Sequence, residues 1–169
     1  MQLPQTDKKN LLLLASYLDI CHVHANRLKM ALAHIEHLHP MQPSTFMQLS
    51  DEEVSYMELL ISRFSKLQDV IGSKIFPLLL NLLQEEPKGN NFLDILHQLE
   101  KLDILPSIKL WIGFRDLRNH LTHEYPEHPD IMANYSNQAI QKAQELLLYW
   151  TDLKNKILNI QAKWAEYFQ

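Results

Sequence analysis

Cysteine and glycine are the scarce residues in this 169-residue chain: there is one Cys, and there are only 3 Gly. A single cysteine excludes any disulfide within the chain. So few glycines leave few sites for tight hairpin turns, which favours helices over sheets. Charge of one sign is also missing. Lys and Arg total 16 against 20 Asp and Glu, a net charge of −4, so the chain does not coat nucleic acid through bulk charge, and any such binding must be focal. No apolar run approaches the roughly 18 residues of a membrane span, and residues 1 to 10 hold no apolar core of signal-peptide length. These absences predict a soluble, cytoplasmic protein, and the length suits a single domain over residues 1–169 with a substantial core.

What is present is helical periodicity. From about Asp7 to His37, Leu11, Leu14, Leu18, Cys21, Ala25, Leu28, Leu32 and Ile35 recur every three or four residues, which places Cys21 as a small buried hydrophobe. Pro40 and Pro43 end that segment, and a loop through Met47 follows. Ser50 with Glu53 three residues on reads as a capping box opening a second helix. Its seam is Val54, Met57, Ile61, Phe64, Ile71, Ile75, Leu78 and Leu82, broken at Gln68, and it runs to about Gln84 with a kink expected at Pro77. After a loop holding Pro87 and Gly89, a shorter helix spans about Asn91 to Leu102. Another spans about Pro106 to Thr122, with Pro106 in its first turn. Pro126 and Pro129 break the pattern, and a last helix from about Asp130 to Tyr167 carries Tyr135, Ala139, Ala143, Leu146, Trp150, Leu153, Ile157 and Trp164. Long helices joined by short loops predict an all-α, antiparallel four- to five-helix bundle.

Chemistry concentrates in Arg115 to Tyr125, Arg-Asp-Leu-Arg-Asn-His-Leu-Thr-His-Glu-Tyr. Guanidinium groups grip phosphate in a fork, a neutral imidazole takes a proton near pH 7, and an amide orients an oxygen. That set suits phosphodiester chemistry without a metal. On an ideal helix Arg115, Asn119 and His123 share a face, with Arg118 and Thr122 about 100° round from it. Arg115 with His120 and Arg118 with His123 both have the same five-residue separation. Only Arg118 is followed by a polar amide and then by His, any residue, Tyr, so Arg118, Asn119 and His123 are the candidate catalytic set, and Arg115 and His120 are flanking contributors.

This arrangement resembles the signature of the HEPN superfamily, specifically its HepT-like toxins. The likeness extends to Leu59–Asp69 on the second helix and to Leu93–Tyr125, including Leu99–Leu105 ahead of the motif. The resemblance implies a HEPN-like bundle and an endoribonuclease that works as a homodimer with the two motif helices at a composite site. It also implies restraint by a minimal nucleotidyltransferase that transfers AMP to the motif tyrosine, here Tyr125. On that analogy His123 deprotonates a ribose 2′-hydroxyl, Arg118 stabilises charge on the phosphate and Asn119 positions one of them. The chain itself needs no metal and no cofactor; ATP serves only as the partner's AMP donor. The rival from another class is a non-catalytic subunit that binds, or presents substrate to, a nucleotidyltransferase.

Other features have plainer readings. Arg118 could instead form a salt bridge to Glu124 or to an acid of another helix. Arg63 and Asp69 lie near an apolar stripe and call for partners, a salt bridge holding the bundle before a catalytic role. His22, His24, His34, His37 and His39 lack an acid and cysteine set of metal-site spacing and read as solvated or packed. Trp111, Trp150 and Trp164 read as core or dimer contacts.

Overall fold

The structure, a computed structural model, describes residues 5–85, 89, 91–121 and 128–166, except for the side chains at 5, 6 and 163–166. Those residues form an all-α helical bundle with no strand among them. In chain order, α1 is Gln5–Ile35, α2 Pro43–Met47, α3 Asp51–Val70, α4 Phe76–Leu82, α5 Phe92–Lys101, α6 Ile108–Leu121 and α7 Pro129–Glu166. Among the described residues no helix is long and apolar enough to cross a membrane.

The expected seam of α1 is the buried one. Leu14, Cys21, Leu28 and Ile35, each seven residues after the last, are fully buried, as two turns of helix returning to one face require. That burial pushes the Cys21 thiol up to about 12, which leaves it protonated and unreactive at neutral pH. α1 packs chiefly on α3. Their directions are opposed, because Asn10 reaches Asn81, His24 reaches Arg63 and His34 stacks on Tyr56. Against this pair lie α6 and α7, which contribute Trp111, Phe114, Leu146, Leu153 and Ile157 to the same core.

The start of α3 is the predicted capping box. The Glu53 N–H donates to Ser50 Oγ at 3.2 Å, and the Ser50 N–H donates back to the Glu53 carboxylate at 2.8 Å. The Ser50 N–H first, and then the Ser50 hydroxyl donating to the same carboxylate, hold the Glu53 carboxyl below its ordinary range. Asn91 and Asp94 repeat the device at the head of α5. Val54, placed on the α3 seam by its spacing, is 40% exposed.

Three local features differ from the sequence expectation. The segment read as a loop before Ser50 contains α2, whose five residues with Pro43 at its head are too few to show a period. Ahead of it, buried Met41 is fixed to α7 by the Asn137 side chain, which accepts from its N–H at 2.6 Å and donates to its carbonyl at 2.9 Å. At the other end, α6 begins at Ile108 rather than at Pro106. Ser107 Oγ accepts the Leu110 N–H at 3.1 Å and so serves as the cap, leaving Pro106 outside the helix.

The third difference matters most for the site. In place of a simple kink at Pro77, the chain makes a π-helical turn, Ile71–Ile75, between α3 and α4. A proline ring clashes with the carbonyl four residues earlier, here that of Ser73, and the wide turn relieves the crowding. Gly72 sits in that turn against the indole of Trp111; a Cβ there would come 2.9 Å from Trp111 Cζ2 and 3.5 Å from Phe92 Cζ. Alanine in place of glycine gains up to about 1 kcal/mol in a helix, whereas overpacking a rigid core costs about 1–3 kcal/mol. Trp111 is fully buried and has no room to yield, so overpacking wins. Gly72→Ala is therefore expected to destabilise the fold in urea titration. A variant as stable as the wild type would mean that the turn does not press on Trp111.

Candidate functional site

The motif helix α6 buries Trp111, Phe114 and Leu117 at three-residue intervals. Arg115, Asp116, Asn119 and His120 are consequently exposed, and Arg118 sits at the edge between core and solvent. His123 and Tyr125, with Thr122, Glu124 and the Pro126 break, lie outside the described residues. The site can therefore be built up to Leu121.

Arg115 and Arg118 line one cleft of about 260 Å³, together with Gln68, Asp69, Gly72, Ser73 and Phe92. Residues three apart on a helix differ by only about 60°, so these two arginines share a face more closely than Arg118 shares one with Asn119. Arg115 and Asn119, about 40° apart on the helix, are both exposed as their shared face implies, and the cleft wall takes Arg115 and Arg118.

Arg118 is held by consecutive residues of α3. Its Nη1 lies 3.5 Å from Gln68 Oε1 and 3.5 Å from Asp69 Oδ1. The acid of another helix considered as a partner for Arg118 is thus Asp69, and the break in the α3 seam at Gln68 marks the same contact. Gln68 is only 3% exposed, a depth at which an amide requires a partner. The Asp69 pair is different in kind: its side chains are 36% and 56% exposed, so it contributes about 0–1 kcal/mol and is readily exchanged for another anion.

Arg115 is positioned by packing. Its guanidinium carbon lies 5.3 Å from the centroid of the Phe92 ring, at the head of α5. Such stacking occupies the flat face of the guanidinium and leaves its N–H edges for hydrogen bonds.

His120 does not join the arginines. Its Nδ1–H donates to the Asp116 carbonyl one turn back at 2.7 Å, and its ring stacks on Tyr135 of α7 at 5.3 Å. The flanking role expected of it is not supported by this placement, whereas Arg115 does lie beside Arg118. Among the described residues Arg63 has no acidic partner of the kind expected; it donates to His24 Nδ1 at 3.1 Å. His24 must be neutral to accept that bond. Burial first, then Arg63, Lys66 and Arg27, hold its pKa below the ordinary histidine value.

No family model, curated protein or solved structure matches this chain. The functional argument therefore rests on the residues themselves. Among the described residues no three His, Cys, Asp or Glu side chains converge as a metal site would require. What the cleft offers is two guanidiniums, one buried amide and one exposed carboxylate, a set able to grip an oxyanion such as a phosphate or a carboxylate.

Proposed function

We propose that this protein is a HEPN-like, HepT-type endoribonuclease that cuts RNA by metal-independent acid-base chemistry. The observation that carries the reading is Arg118, which opens the Arg118–Asn119–His123–Tyr125 motif and is held in the wall of the cleft by a buried amide and an exchangeable carboxylate. A phosphate entering the cleft takes the place of Asp69 and receives a forked, charge-assisted grip.

In the proposed reaction His123 removes the proton of a ribose 2′-hydroxyl. The freed oxygen attacks the adjacent phosphorus, the bond to the 5′-oxygen breaks, and that oxygen leaves with a proton as a 5′-hydroxyl. The other fragment ends in a 2′,3′-cyclic phosphate. Arg118 stabilises the charge that builds on the non-bridging oxygens, and Asn119 orients one reactant. Attack by a 2′-hydroxyl confines the reaction to RNA. Two copies of the motif in a homodimer supply paired cations, and transfer of AMP from ATP to Tyr125 by a minimal nucleotidyltransferase blocks the site with bulk and negative charge.

Arg118→Lys tests the assignment. A point ammonium forfeits the forked grip while retaining a charge for Asp69 and Gln68, so kcat is expected to fall on the order of tenfold to a hundredfold with the helical circular dichroism unchanged. Full activity in the lysine variant would remove Arg118 from the reaction.

The Asp69 contact also favours a second reading, since an arginine satisfied within its own chain serves a non-catalytic subunit that binds or presents substrate to a nucleotidyltransferase. A general base has no purpose in such a module. Cleavage of RNA by this chain without any partner separates the two.

A further inference from the structure

The two arginines of the cleft are held by different elements and their charges are in different states. Arg118 is tied to α3 through Gln68 and Asp69. Arg115 is stacked over Phe92 of α5 and, among the described residues, makes no ion pair. Two arginines against the one aspartate in the wall leave the cleft with a surplus positive charge, and that charge resides on Arg115. Its stacked face is occupied and its N–H edges remain for an oxyanion.

Because each guanidinium is anchored to its own neighbour, the pair is not arranged to close on one phosphate. One guanidinium is carried to α3 and the other to the head of α5, so the cleft offers two cation positions rather than one. Gly72 and Ser73 of the π turn also line the cleft, and the Ser73 hydroxyl is turned back to its own helix, donating to the Asp69 carbonyl at 2.7 Å. Asp69 is therefore the one carboxylate of the wall, and it is engaged with Arg118.

Building on the ribonuclease reading, we propose that the cleft is a subsite for a second phosphodiester of the RNA strand, next to the one that is cut, with Arg115 as its cation. Arg118 serves the reacting phosphate, and Arg115 serves binding and register. Phe92 acts on Arg115 as a positioning residue.

The test uses 2′-O-methyl oligonucleotides, which lack the attacking hydroxyl and so cannot be cut. A dinucleotide carries one phosphodiester and a trinucleotide two; their affinities are measured by titration calorimetry over a range of salt. Arg115→Met is expected to weaken trinucleotide binding by roughly tenfold, the scale of one charge-assisted contact, and to leave the dinucleotide unchanged. The slope of log affinity against log salt for the trinucleotide should flatten by about 0.7. Equal weakening of both ligands, no weakening of either, or no binding of either to the wild-type chain overturns the subsite. Two-phosphate binding that depends on Arg115, in a chain that cuts no RNA, keeps the subsite and overturns only the ribonuclease reading.

Discussion

Replacing His123 with alanine is expected to slow RNA cleavage by roughly a hundred- to ten-thousand-fold, the range that a positioned general base contributes. An imidazole has an ordinary pKa near 6.5, so the wild-type rate should climb with pH through that region as the base loses its proton. The alanine variant should lose that limb of the profile along with the rate. Circular dichroism and the denaturation midpoint, measured beside the rate, separate loss of the base from loss of the fold. Retention of the wild-type rate and pH profile in the variant would assign the chemistry elsewhere. The same outcome would leave Arg118 and Arg115 as a binding cleft alone.

The second large effect is on the fold. Trp111 is the largest of the fully buried side chains, with its ring 4.6 Å from that of Phe76, 6.0 Å from Phe114 and 6.1 Å from Tyr149. It thereby joins α4, α6 and α7, and Gly72 of the π turn rests on its edge. Trp111→Ala should cost about 3–5 kcal/mol. For a chain of this size, at about 2–4 °C per kcal/mol, that lowers Tm by roughly 6–20 °C. The cost comes from lost packing, since the indole Nε1 has no hydrogen-bond partner to lose. Trp111→Phe keeps much of the ring contact and removes that unpaired N–H, so it should cost less than alanine. A loss below about 1 kcal/mol in Trp111→Ala would show that the π turn and α6 are held by something other than this ring.

These two expectations bear on different parts of the sequence reading. The bundle was legible because α1 and α7 repeat apolar residues over many turns, and because Ser50 and Glu53 form a local cap that depends on nothing distant. The π turn was not legible: Ile71 and Ile75 stand four apart, as they would in an unbroken α-helix, and Pro77 alone signals a disturbance without saying whether the chain kinks or widens. α2 was too short to carry a period. In the site, the helical wheel sets Arg118 apart from the row of Arg115 and Asn119 and does not show that Arg115 and Arg118 line one cleft. Their i, i+3 spacing is what brings both to one cleft.

The link from Gln68 and Asp69 to Arg118 spans fifty residues of sequence, so no local pattern could reveal it. The interruption of the α3 seam at Gln68 was its visible trace. An amide at a position where Phe64 and Ile71 continue the apolar row needs a polar partner, and the nearest chemistry able to supply one was the motif helix. His120 is the opposite case. It lies in the motif by sequence, yet its own backbone and Tyr135 provide its contacts.

The most direct test of the proposed function is incubation of the purified chain, without any partner, with a defined RNA in EDTA, followed by analysis of the product ends. Cleavage leaving 2′,3′-cyclic phosphate and 5′-hydroxyl termini is the predicted result, while intact RNA across varied sequences would contradict a ribonuclease and favour the nucleotidyltransferase-binding subunit.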